Sequence, residues 1–380
     1  MHMRIGIDAR FFGPRVGGGG LGRYVSELVH ALQRVDRENE YVLFLKKENF
    51  HECVVTAPNF SKRLVDIPWY SAEEQLRMPR EVRLAKVNLM HYPHWNVPVF
   101  SHVPFVTTIH DLILLEDPMS ARATTRNAFV HGLKSVGHHI ALEAAVHRSK
   151  HIITISQYTK DSILDHFRVP GRKISVVYNG IRPPTGGETV ALSSLGVHRP
   201  YILHVGNRYP HKNLDVLLES YADFCRTDGE TMLVLAGKSD VFTRELQSYA
   251  RALGIPDVRV QWIDTPTDAV LARLYSDATL VVTPSRIEGF GIPPLEALSF
   301  GVPVAASHVS SLPEVLGDTV RYFDPDDESA LTRLMHEAVI APELWAPLRE
   351  KGMRRVEQFS WDKTAKATRD IYRHYADRRL

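Results

Sequence analysis

Twice along its 380 residues the chain repeats one pattern, a short apolar run followed by a stretch with helical spacing. In the first half the runs are RIGIDA (4–9), YVLFL (41–45), NLMHY (88–92), PFVTTI (104–109), HIITI (151–155) and KISVVY (173–178). Runs this short and this rich in valine and isoleucine read as buried strands. Between them, LGRYVSELVHALQRV (21–35) puts apolar residues at 21, 24, 25, 28, 29, 32 and 35, one face of a helix. The second half offers YILHVG (201–206), TMLVLAG (231–237), VRVQWI (258–263), ATLVVTP (278–284) and VPVAAS (302–307), with helices between such as LDVLLESYADFC (214–225). Strands that alternate with helices predict parallel sheets covered on both faces, a doubly wound α/β architecture.

The pattern lapses once, in GIRPPTGGETVALSSLGVHRP (180–200), whose prolines and paired glycines read as a linker. The expectation is two Rossmann-like domains, 1–182 and 198–360, facing a central crevice. Ligands in such sheets bind at the carboxyl ends of the strands. No run of ~18 apolar residues is present, so no membrane span is predicted. MHMRIGIDAR enters the first strand without a charged-then-apolar leader, and Cys53 and Cys225 match no metal spacing. A cytoplasmic location is expected from both. The net charge of +2 divides unevenly: residues 1–185 hold 24 Lys+Arg and 17 Asp+Glu, a net of +7, and the rest hold 22 and 27, a net of −5. Spread over a domain, +7 is too diffuse to predict a nucleic-acid partner.

VGGGGLGRY (16–24) matches G-x-G-x-x-G from Gly17 to Gly22. A dinucleotide site needs those glycines directly after the first strand and an acid at the end of the second. Here RFFGPRV intervenes after Ala9, and the second strand ends in Lys46 and Lys47. An NAD(P)-dependent oxidoreductase therefore fails both context tests, although the lysines would suit a 2′-phosphate. The alternatives are a plain turn, or a loop whose bare backbone approaches an anionic ligand at a helix start.

Three stretches at strand ends carry polar chemistry. TPSRIEGFGIPPLEALSFGVPVAAS (283–307) runs strand, glycine loop, helix, with Pro293-Pro294 in the first helical turn. Its backbone N–H groups suit a phosphate. Glu288 and Glu296 flank that anion site, so sugar or ribose hydroxyls are their sensible partners. An acidic first turn would account for Glu296 alone. HVGNRYPHKN (204–213) follows a strand and opens a helix with Asn213 as N-cap. Arg208 and Lys212 straddle its turn, placed either to neutralise a diphosphate or as solvated surface cations. TTIHDLILL (107–115) sets His110 and Asp111 at a strand tip, as structural or as reacting groups.

Together DARFFG, GLGRYVSEL, the His-Asp pair, HIITISQYTKDSIL, VVYNGI, HVGNRYPHKNL, EGFGIPPLEALSFGVPV, SSLPEV, YFDPDD and a late FSW resemble the retaining glycosyltransferases of family 4, with GT-B fold, nearly end to end. Glu288 and Glu296 have that family's E-x7-E spacing. The resemblance implies that Gly20 presents backbone N–H to donor phosphates and that His110 contacts the donor sugar. It implies that Arg208 and Lys212 clamp the diphosphate and that Glu288 binds sugar hydroxyls. Gly289, Phe290, Gly291 and Ile292 would supply backbone contacts, Glu296 would bind the ribose, and Ile263 would lie beside the base. The family often has arginine directly after the glycine of this turn; here that place is Asn207, with arginine displaced to 208.

G-N-x-x-P-H-K-N resembles mannosyltransferases that use GDP-mannose. The implied reaction moves mannose to a hydroxyl of a saccharide or polyprenyl-linked saccharide, with retention, by front-face attack. No metal and no cofactor beyond the sugar nucleotide is implied. The last helix (about 361–380) would return to the first domain, as the family's does. Residues 119–151 hold five Lys or Arg, five His and one acid, Glu143. They read either as a solvated helical face or as contact with an anionic acceptor or the inner membrane surface. A different donor such as a UDP-sugar, a sugar-nucleotide epimerase, and a non-catalytic sugar-binding protein are the other readings.

Overall fold

A computed structural model describes residues 3–13, 16, 19–117 and 128–376, the side chains of 128–136 and 376 excepted. The chain divides into two units, residues 1–112, 125–180 and 359–380 in the first and 113–124 and 181–358 in the second. Unit 1 carries β1 (Arg4–Asp8), α1 (Gly19–Val35), β2 (Glu40–Leu45), β3 (Phe60–Leu64), α2 (Ala72–Leu84), β4 (Leu89–Tyr92), β5 (Phe105–Ile109), α3 (Ala128–Arg148), β6 (His151–Thr154), α4 (Gln157–His166) and β7 (Ile174–Val176). Its seven strands lie in the order β3-β2-β1-β4-β5-β6-β7, and all neighbours are parallel. Ile5, Ile7, Leu43, Phe44, Val106 and Ile152 are fully buried, as strands covered on both faces require. The apolar face of α1 buries Tyr24, Val25, Leu28, Val29 and Leu32.

Unit 2 repeats the scheme with β8 (Tyr201–Val205), α5 (Leu214–Cys225), β9 (Met232–Gly237), α6 (Thr243–Ala252), β10 (Val260–Asp264), α7 (Asp268–Asp277), β11 (Leu280–Thr283), α8 (Ile292–Ser299), β12 (Val304–Ser307), α9 (Leu312–Leu316), β13 (Arg321–Phe323), α10 (Glu328–Ile340) and α11 (Ala346–Val356). Its order is β10-β9-β8-β11-β12-β13, again wholly parallel. A core of Ile202, Leu217, Tyr221, Phe224, Leu233, Leu280 and Trp345 lies on one sheet face. In both sheets the chain winds one way and then the other, reversing between β1 and β4 and between β8 and β11. These reversals are the topological switch points at which such sheets bind ligands.

Every strand expected from the sequence is a strand. Two edge strands, β3 and β13, were not expected. The linker reading needs correction: from Ile181 onward the chain belongs to unit 2, and the short turn Gly187–Thr189 packs on α7. Residues 181–197 are therefore part of the second unit, held to it at Gly187–Thr189. The last helix, α12 (Trp361–Ala376), packs on α1 in unit 1. Trp361 is buried, the Thr364 hydroxyl donates to Tyr178 O at 2.7 Å, and Arg34 pairs with Asp362 at 2.6 Å. The buried Tyr372 hydroxyl lies 2.6 Å from His91 Nδ1.

Candidate active site

A hydrogen-bonded polar cluster of unit 2 lies at the switch point between β8 and β11. Beyond β8 the chain turns through Pro210–Lys212 into α5, and Lys212 Nζ donates to Glu288 Oε1 at 2.7 Å. Glu288 follows β11; the Ser285 hydroxyl donates to the same oxygen at 2.7 Å. The main chain of Glu288 is pinned as well, its N–H donating to Ser310 Oγ and its carbonyl accepting from Ser311 Oγ, each at 2.8 Å. Burial would push the Glu288 carboxyl up, but the Lys212 charge, its hydrogen bond and Ser285 outweigh that and hold it below the ordinary value. Glu288 is therefore an anionic acceptor at neutral pH.

Asn213 explains why Lys212 stays there. It stands at the start of α5 with φ +55° and makes no side-chain cap. Its amide instead donates to Pro284 O and Pro325 O at 3.1 and 2.8 Å. The N-cap expectation is thus corrected: Asn213 ties its turn to the loops after β11 and β13. Asparagine tolerates the left-handed region better than most residues, because its short polar side chain bonds locally.

Arg208 is not a solvated surface cation of the turn. It is buried, its Nη1 donating to Ser239 and Thr243 hydroxyls at 3.0 Å each, and its guanidinium lies 5.3 Å over the Trp262 ring. Nη2 is buried without a partner among the described residues. Asn207 is exposed beside it. Ile263 sits near the end of β10, one residue before Asp264, whose carboxylate accepts from Ser239 N.

The loop after Glu288 turns into α8 through Gly291 at φ +95°, where a Cβ would lie 2.7 Å from Leu312 Cδ2. Only glycine meets both demands. Pro293 and Pro294 follow Ile292 in the first turn, so two of the helix's early donors are missing. The backbone N–H groups left at this helix start are those of Ile292 and of loop residues Gly289, Phe290 and Gly291, the residues the resemblance implies. Glu296, one turn on, is buried and accepts from the Tyr275 hydroxyl at 3.1 Å.

Gly20 and His110 belong to unit 1. Gly20 lies in the first turn of α1, exposed, and a Cβ there would meet nothing within 4 Å. The sterically required glycine is Gly22, where a Cβ would collide with the Gly13 carbonyl. Gly17 and Gly18 lie outside the described residues. His110 follows β5; its Nε2 lies 2.9 Å from Pro93 O, so that nitrogen carries the proton. Its ring meets Tyr24 edge-on at 4.6 Å, and burial holds it down to about 4 despite the Pro93 bond.

The sequence reading missed Ser285, Ser310, Ser239, Thr243, Trp262 and Tyr275, which hold the named residues. Ser285 stands within TPSRIEG and was the one open to notice. Residues 119–127 of the proposed basic surface lie outside the described residues. Beyond them, Glu143 pairs with His139 and His147 at 3.7 and 3.0 Å. Among the described residues no three His, Cys, Asp or Glu gather to hold a metal ion, and no helix is long and apolar enough to cross a membrane.

Two doubly wound parallel units in one chain are the layout of the GT-B architecture. The chain belongs to glycosyltransferase family 4: the model "Glycosyltransferase Family 4" matches residues 18–183, and "Glycosyl transferases group 1" matches 193–355. It is similar to the O-antigen chain mannosyltransferase RfbU of Salmonella typhimurium strain LT2, with 27% identity over 82% of this chain and 85% of the relative. To the O-antigen chain mannosyltransferase B of Escherichia coli the identity is 28%, over 93% and 96%. In fold it is similar to sucrose-phosphate synthase from Thermosynechococcus elongatus, TM-score 0.77 at 19% identity, covering 99% of this chain and 100% of that one.

Proposed function

We infer that this glycosyltransferase moves mannose from GDP-mannose to a hydroxyl of a saccharide or polyprenyl-linked saccharide, with retention and without a metal. The names of the two relatives support mannose, and the G-N-x-x-P-H-K-N turn supports the donor. The buried Lys212–Glu288 pair carries the reading. A carboxylate kept ionised by lysine and serine accepts hydrogen bonds from sugar hydroxyls, while the lysine sets positive charge where a diphosphate gains charge as it leaves. Arg208 adds a second cation, held by Ser239 and Thr243. In the front-face step the anomeric C1–O bond to the diphosphate breaks as the acceptor oxygen bonds to C1. The acceptor's proton passes to the departing phosphate oxygen. Glu296, held by the Tyr275 hydroxyl, binds the ribose.

A thermal-shift screen of GDP, UDP, ADP and TDP with their sugar conjugates tests the donor. GDP and GDP-mannose are expected to stabilise most. A larger shift with UDP-sugars overturns the donor. Product analysis with acceptor present separates transfer from epimerisation. Glu288→Gln should abolish transfer while nucleotide binding survives; unchanged turnover removes Glu288 from the mechanism.

A further inference from the structure

We propose that Tyr70 forms an aromatic platform on unit 1 against which a sugar ring of the acceptor stacks. The proposal rests on the glycosyltransferase reading and adds residues that neither the motifs nor the comparisons point to.

The first observation is conformational. Tyr70 has φ +55°, a region that bulky residues avoid and glycine enters freely. Strain of this kind persists only where the surroundings enforce it, and it gathers at functional sites. The enforcement is visible. Tyr70 N–H donates to Glu74 Oε2 at 2.8 Å. Glu74 is held in turn by Arg10 at 2.5 Å and by the Asn96 amide at 3.0 Å, and Arg10 is paired with Asp8. Ser71 caps α2 through Glu74 N at 3.0 Å and donates to Pro68 O at 2.9 Å. A buried ionic network thus fixes the backbone of a residue that is 48% exposed.

The second observation is what surrounds that ring. His138, Trp95 and His94 have ring centroids 5.1, 5.8 and 6.3 Å away. Trp69 stacks on Phe11 at 4.5 Å, with the Lys46 ammonium 4.4 Å from its ring centre. Phe11 follows β1, Lys46 follows β2, Trp69 and Tyr70 follow β3, and His94 and Trp95 follow β4. Those are four adjacent strands of the sheet, so the rings line its carboxyl edge across the β1/β4 switch point. Core packing does not account for a half-exposed ring held in a strained backbone. An apolar pyranose face does: its C–H groups meet the electron-rich face of an aromatic ring, and a rigid ring loses little freedom on binding.

Glycine at position 70 separates a role in folding from a role in recognition. Thermal unfolding and saturation-transfer NMR would be run on the full chain, on Tyr70→Gly and on Tyr70→Phe. The glycan probes are methyl α-mannoside, α-mannotriose and N-acetylchitobiose. The native chain is expected to bind at least one of them, and Tyr70→Phe to bind it nearly as well. Tyr70→Gly should weaken it by about fivefold or more, with an equal or higher Tm and an unchanged nucleotide-induced shift. Absence of binding to all three glycans, or equal binding by Tyr70→Gly, overturns the platform. So does a lowered Tm with undiminished glycan binding. A chain that binds glycan through Tyr70 but binds no nucleoside diphosphate overturns the transferase reading instead.

Discussion

Lys212 Nζ and Glu288 Oε1 stand 2.7 Å apart with both side chains largely withdrawn from solvent, 76 residues apart in sequence. Neither charge is stable there alone. The attraction between the two offsets the loss of hydration only while both partners are present. Lys212→Ala should therefore cost about 3–5 kcal/mol, the penalty for an uncompensated buried carboxylate. Denaturant unfolding measures it; a cost near that of an exposed surface pair, under about 1 kcal/mol, would show that the pair is hydrated.

The same pair shapes the acid limb of stability. Glu288 has a depressed folded-state pKa, so it contributes stability above the ordinary carboxylate range and loses it as pH falls through the folded value. Glu288→Gln removes that proton linkage. Between about pH 5 and pH 3 its unfolding free energy should fall less steeply than that of the native chain. Parallel curves would mean that Glu288 titrates alike folded and unfolded.

Buried histidines act earlier in the same direction. Burial holds His91 and His94 down to about 3, and His110, His204 and His211 down to about 4. The unfolded chain binds protons at these sites from about pH 6.5 downward and the folded chain does not, so stability rises with pH across that window. Chemical denaturation at pH 7 and pH 5 should differ by roughly 1 kcal/mol or more for each histidine that stays neutral. His91→Asn should reduce the difference.

The glycine run offers a sharper contrast. Gly22→Ala drives a methyl into the Gly13 carbonyl, whereas Gly20→Ala meets open space in the same helix. The first should destabilise by about 2 kcal/mol or more, and the second should leave Tm within about a degree or raise it. Calorimetry on the two variants checks the order.

Much of this arrangement can be read from the chain, for identifiable reasons. Nine strands announce themselves because burial on both faces leaves apolar runs, and the edge strands β7 and β10 do so because KISVVY and VRVQWI still carry Val and Ile. FSKRL (60–64) and RYF (321–323) do not, because these edge strands carry charged residues and no Val or Ile. Glu288, Lys212 and Glu296 are legible because strand ends and helix starts fix where they stand. The partners of Arg208 are not: Ser239 and Thr243 are brought to it by the neighbouring strand, and no local pattern encodes that. Asn213 misleads because its place at a helix start suits a cap, while its φ of +55° turns the amide to two distant carbonyls. The 181–197 stretch has linker composition, yet Gly187–Thr189 within it packs on α7.

Unit 1 is finished by α12, which the chain supplies only after all of unit 2 has been made. On the ribosome the leading unit therefore cannot be completed before unit 2 has been made, unlike the usual order in which the leading domain finishes first. Unit 2 has its whole sequence while the face of α1 that receives α12, and the His91 ring that meets Tyr372, still await their partners. Nascent-chain maturation should end at the amino-terminal unit, and a single proteolytic cut near residue 180 cannot release either unit as a continuous piece.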